Sequence, residues 1–206
     1  MISGLDHVNI ETCDIASISR KKIFKDLKNI NLIVGGPPCQ GFSQKGSRLG
    51  LKDSRNFLFK KFVFFVEVLK PEIFLMENVP NLITSNNGFF YQEIVHSFSK
   101  LGYELDGRVL NASDYGVPQN RRRAFIVGNR IGKSFQFPKP NAFKTTVRDA
   151  ISDLPILKSG EGKKFHNYTL PPQSDYQQLL RANSKGIYNH ISTKHSSIAL
   201  EKLKYI

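Results

Sequence analysis

The sequence is short of cysteine, of acidic side chains and of long apolar runs, and each shortage closes off a class of protein. Two cysteines in 206 residues cannot build a disulfide framework, so the expectation is a reducing, cytoplasmic setting and not secretion. Neither Cys13 nor Cys39 has a Cys-x-x-Cys or His-rich neighbourhood, which argues against zinc; no metal is expected. No apolar run approaches the length of a membrane span. The opening MISGLDHVNIETCD has neither the charged start nor the apolar stretch of a signal peptide. Internal repeats and low-complexity tracts are missing as well. Seventeen Asp and Glu face 30 Lys and Arg, a formal charge of +13. Such a balance suits a polyanion partner, most often nucleic acid, although charge alone fits an ordinary basic soluble protein equally well.

What is present supports a sizeable core: 40% hydrophobic residues, among them 16 phenylalanines. The first two-thirds alternate short β-like runs with helical stretches. Val8–Ile10 is a weak strand, and a basic helix-like segment runs from Ser17 to Leu27. Asn31–Val34 reads as a short buried strand, stopped by Gly35-Gly36-Pro37-Pro38. Asp53 or Ser54 can cap a helix running to Leu69, with Pro71 just past its end. Ile73–Met76 is a second strand. Tyr91, Ile94, Val95, Phe98 and Leu101 then fall at helical spacing before Gly102, and two more strands follow at Tyr103–Leu110 and Ala124–Gly128. This order predicts an α/β fold with a mostly parallel sheet and helices on both faces. After Phe137-Pro138-Lys139-Pro140 the chain turns polar, loop-like and basic, so a boundary is placed between residues 1–140 and 141–206. Residues 129–206 hold 13 Lys and Arg against five Asp and Glu.

Three stretches carry chemistry. Free cysteine is ordinarily a small buried hydrophobe, and Cys13 fits that reading. Cys39 departs from it: Pro37-Pro38 fixes the backbone before it, glycines allow close approach of a ligand, and polar residues follow at once. In open α/β sheets ligands bind beyond the carboxyl ends of strands, where Cys39 and Glu77 both fall. Glu77 follows an apolar run, and burial would suit it to hold or share a proton; a strand-end carboxylate capping a backbone N–H is the plain alternative. In DYGVPQNRRRAFIVG the arginine run enters a strand. Alternation should therefore turn Arg121 and Arg123 to one side and Arg122 to the other. Paired guanidiniums suit an oxygen-rich planar or anionic group.

PPCQGFS, ENVPNL and LNASDYGVPQNRRRAFIVG, in this order and spacing, resemble the DNA (cytosine-5) methyltransferases. The resemblance covers about Asp14 to Pro140, and KDSRNFLF and FQFPKP are similar to the family's connecting segments. It implies a partial Rossmann-like methyltransferase domain using S-adenosylmethionine, followed by the start of an irregular target-recognition domain. By position Cys39 would add to C6 of a cytosine, making C5 able to take a methyl group. Glu77 would hold the protonated N3, and Arg121 and Arg123 would contact the base oxygen and steady the active loop. The base must be flipped out of the duplex. Gln40, Ser43, Lys45 and Arg48 become candidates for contacting DNA around the vacated space. TCDI resembles the family's Gly-Asp-Ile segment, so Asp14 and Ile15 would meet the adenine of the cofactor, with Pro38 lining the methyl-donor pocket.

The family's opening strand with Phe-x-Gly-x-Gly, and its closing blocks, have no counterpart in this sequence. The expectation is a fragment or split subunit of a restriction-modification type methylase acting on double-stranded DNA, with a complementing chain as a partner and no membrane. An inert nucleic-acid-binding remnant or accessory subunit, and an RNA cytosine-5 methyltransferase, are the alternatives.

Overall fold

The computed structural model describes Thr12, Asp14, Ile15, Leu27, residues 29–38 and residues 59–205. The expected strand at Val8–Ile10, most of the helix-like segment Ser17–Leu27, and the Asp53 or Ser54 cap lie outside the described residues. Two compact units emerge. The first holds residues 1–111 and 122–139; the second holds residues 112–121 and 140–206.

Among its described residues the first unit has four strands: β1 (Leu32–Gly35), β2 (Ile73–Asn78), β3 (Glu104–Asn111) and β4 (Arg122–Asn129). Their order across the sheet is β1-β2-β4-β3. β1 pairs parallel to β2, whereas β4 runs antiparallel to both β2 and β3. Three of the four strands therefore run one way and β4 is the exception. Strand direction bears out the mostly parallel α/β sheet expected from the sequence.

Period-two alternation sorts the sheet's side chains into two faces. Phe74, Met76 and Asn78 share one face with their partners Gly128, Ile126 and Ala124. Two eleven-residue helices pack there: α1 (Phe59–Leu69), through Phe59, Phe62 and Val66, and α3 (Phe89–Ser99), through Phe90, Ile94 and Phe98. A single turn, α2 (Asn81–Thr84), adds Leu82. Among the described residues both long helices thus cover the same face, not opposite faces. β1 is correspondingly only half a buried strand. Ile33 packs against the core, while Leu32 and Val34 are 54% and 61% exposed.

The core is dense in aromatic rings. Phe98 lies 4.1 Å from Phe74 between ring centroids, and Phe62 meets both edge-on at 5.8 and 6.2 Å. Two glycines make room for this. A Cβ on Gly128 would come within 2.1 Å of the Phe74 ring, and one on Gly35 within 2.6 Å of Phe62. Tyr103 closes the layer, its hydroxyl donating to the Pro71 carbonyl at 2.5 Å. Removing the fully buried Phe98 ring (Phe98→Ala) should cost about 3–5 kcal/mol, measurable as a lowered urea midpoint.

The second unit is held differently. Its elements are α4 (Val147–Ile151), β5 (Gly162–His166), α5 (Asp175–Arg181), β6 (Ile187–Ile191) and α6 (Ser197–Leu203). Among its described residues Ile187 is the one buried apolar side chain, beside buried Asp153 and Gln177. Thr146 caps α4 in a reciprocal box with Asp149, whose carboxyl is held below the usual carboxylate range by the Thr146 hydrogen bonds. Ser174 caps α5 and donates to the Asp149 carbonyl at 2.6 Å. Arg181 ion-pairs with Asp153 and stacks on Tyr168, 3.7 Å from the ring centroid. β5 and β6 form an antiparallel pair. Elements of five to seven residues span too few turns to print a helical period, which is why this stretch reads as loop from sequence.

Candidate active site

Strand register assembles the site. Gly35 lies opposite Met76 in the parallel pair, so Gly36-Pro37-Pro38 and Glu77-Asn78 leave the sheet side by side. β4 enters at that same end, with Ala124 opposite Asn78. Residues read as three separate motifs are thereby brought to one edge of one sheet.

Glu77 lies opposite Phe125 in the antiparallel pair, so Arg123, two residues from Phe125, is its diagonal neighbour on the same face. The Arg123 Nε approaches Glu77 Oε1 at 2.9 Å, and its Nη1 donates to the Arg122 carbonyl at 2.8 Å. The guanidinium is thus fixed at two points. The other carboxylate oxygen, Oε2, lies by Gly36, where a Cβ would stand 3.4 Å away. Glu77 is not buried as the sequence suggests: its side chain is 41% exposed, so the burial argument for a shared proton does not apply. The reason is positional, since Glu77 points to the face opposite the aromatic core. Arg122 has the parity of Ala124 and Ile126, opposite to Arg123, and at the start of the strand it is exposed. Arg121 precedes the strand, belongs to the second unit, and is exposed, its N–H donating to Gln119 O at 3.0 Å.

Asn78 points the other way and is 7% exposed. Its Nδ2 donates to the Pro37 carbonyl at 2.7 Å, and its Oδ1 accepts from the Val79 N–H at 2.8 Å.

Beside this edge lies a cavity of about 260 Å³ lined by Ile15, residues 33–38, Phe62 and Phe65. Ile15 and Pro38, far apart in sequence, meet there, and Asp14 is the chain neighbour of Ile15. The walls are overwhelmingly apolar, suited to the flat ring of a nucleoside and not to a charged amino-acid head. The volume is below that of a whole drug-sized ligand site. These residues fit part of S-adenosylmethionine, the adenine end. Sequence reasoning misses Phe62 and Phe65 as cavity residues; the available signal is the apolar circumference of their helix, more than a core alone needs. Cys39, Gln40, Ser43, Lys45 and Arg48 lie outside the described residues. Among the described residues no group of His, Cys, Asp and Glu could hold a metal ion, and no helix is long and apolar enough to cross a membrane.

The family model for C-5 cytosine-specific DNA methylases matches residues 6–205. The chain belongs to that family. Among curated relatives, the type II methyltransferase M.DdeI of Desulfomicrobium norvegicum is 35% identical over 97% of this chain and 50% of its own length. M.MthTI of Methanothermobacter thermautotrophicus is 47% identical over 65% of this chain and 41% of its own. A solved DNA modification methyltransferase encoded within an E. coli prophage superposes with a TM-score of 0.67 at 27% identity, covering 91% of this chain and 60% of that one. This C-5 methylase chain spans about half the length of the curated relatives it matches.

Proposed function

We propose that the chain supplies the nucleophile and base-binding part of a restriction-modification type DNA (cytosine-5) methyltransferase. The observation that carries this reading is the Glu77–Arg123 pair, at 2.9 Å, set beside the Gly36-Pro37-Pro38 segment that leads into Cys39. A carboxyl group held from one side by a guanidinium can present its other oxygen to a ring nitrogen. In the proposed reaction the Cys39 thiolate adds to C6 of an extruded cytosine while Glu77 holds N3 and offsets the charge that develops. S-adenosylmethionine, the donor used by C5 DNA methyltransferases, supplies an electrophilic methyl group when bound. Once C5 carries that methyl group, loss of the C5 proton and cleavage of the C6–sulfur bond return the thiolate. Arg123 fixes Glu77, and Arg121 is assigned to the base oxygen on the motif alone.

Asp14, Ile15 and Pro38 are assigned to the cofactor; the shared cavity of Ile15 and Pro38 supports this. Gln40, Ser43, Lys45 and Arg48 are assigned to double-stranded DNA. Residues 141–206 are read as the beginning of the target-recognition domain, with the rest of the cofactor site provided by a complementing chain.

The test is to incubate the chain, alone and with a polypeptide carrying a Phe-x-Gly-x-Gly segment, with S-adenosylmethionine and duplex DNA containing 5-fluorocytosine. Fluorine at C5 blocks the final elimination, so a covalent protein–DNA band resistant to denaturation is expected. Salt-sensitive DNA binding with no such band in any combination would favour the inert remnant. A band formed only with fluorinated RNA would favour the RNA enzyme.

A further inference from the structure

Two successive prolines leave the segment before Cys39 with a particular weakness. Neither Pro37 nor Pro38 has an N–H, so this stretch cannot be pinned through its own backbone donors, and its carbonyls are the available handles. Asn78 takes one of them. Its Nδ2–H donates to the Pro37 oxygen at 2.7 Å across 41 residues of sequence, in a buried setting. Its Oδ1 simultaneously accepts from the Val79 N–H. Because that N–H requires an oxygen, the amide can stand in one orientation only, with its NH₂ toward Pro37.

Adjacent residues on a strand point to opposite faces. Asn78 therefore grips the segment from the core side, while Glu77 reaches Gly36 from the other. Asparagine suits this double contact because its short stem carries both a donor and an acceptor, whereas aspartate lacks the donor and leucine both.

We propose that Asn78 is a positioning residue, holding Pro37-Pro38 against the Glu77 strand and so fixing the point from which the chain leads into Cys39. This rests on the reading of Cys39 as nucleophile given above. The one residue between the Pro37 carbonyl and Cys39 is Pro38, whose ring fixes its φ, so few soft torsions separate the anchor from Cys39.

Asn78→Asp keeps the shape and the acceptor for Val79 but replaces the donor to Pro37 with a carboxylate oxygen. Asn78→Ala removes both. Amide exchange followed by mass spectrometry on a peptide spanning residues 33–44 should accelerate about tenfold in either variant, the scale of one hydrogen bond, while peptides from α1 and α3 are unchanged. In the fluorocytosine assay the adduct rate at saturating DNA should fall about tenfold or more with DNA affinity unaltered, since misplacement slows the chemistry and not the encounter. Unchanged exchange in Asn78→Asp overturns the proposal, as does faster exchange across the whole first unit, which would mark a purely structural residue. Locally faster exchange with an unaltered adduct rate overturns it as well. If the native chain itself forms no adduct, the functional reading fails while the exchange data still decide the anchoring.

Discussion

In the Cys39→Ala variant the covalent adduct with 5-fluorocytosine DNA is expected to disappear completely, while binding to the same DNA persists. In the proposed reaction the thiolate is the atom that bonds to C6, and alanine offers no replacement, so the loss would be of the step itself and not of a fraction of its rate. DNA affinity should survive because it draws on the chain's +13 charge, which the substitution leaves untouched. The pair of measurements, a denaturing gel for the adduct and a salt-dependent binding curve, separates chemistry from association. An adduct that persists in Cys39→Ala would assign the nucleophile elsewhere, and Cys13→Ala is then the informative comparison.

Glu77→Gln should slow adduct formation by about 10²–10⁴-fold, the usual worth of a positioned acid–base group. Glutamine keeps the volume and an oxygen near Arg123 but cannot carry the charge that would hold a protonated N3. The fold should hardly register the change. With the two side chains 41% and 24% exposed, the ion pair is largely solvated, and such pairs contribute about 0–1 kcal/mol. A Glu77→Gln chain that melts like the native one yet reacts far more slowly is the expected signature. A variant that reacts at the native rate would reduce Glu77 to the strand-end cap its position also allows.

Much of this site is legible in the sequence because strand ends announce themselves. Gly36 and the two prolines after it can belong to neither helix nor ladder interior, and Pro80 closes the second motif in the same way. Which faces the side chains take is far less legible. Apolar flanks around Glu77 suggest burial, but only the register with β4 shows that it points away from the core. The arginine run is similar: alternation separates Arg122 from its neighbours, while the pairing of Arg123 with Glu77 depends on an antiparallel partner some 46 residues later, known only from the fold. The second unit is the hardest to read. Its order comes from caps and a buried Arg181–Asp153 pair, polar contacts that leave no hydrophobic period behind.

Three arginines in a row pose a problem of identity: by charge alone, a two-residue slip of β4 would offer Glu77 a different guanidinium on the same face and go unpunished. What forbids it sits five residues further along. Phe74 lies so close to Gly128 that no side chain fits between them, and Gly128 is the only glycine in β4. A slip in either direction would drive a Cβ into that ring. Gly128 thus acts as a register key, a residue far from any chemistry that decides which arginine the carboxylate meets.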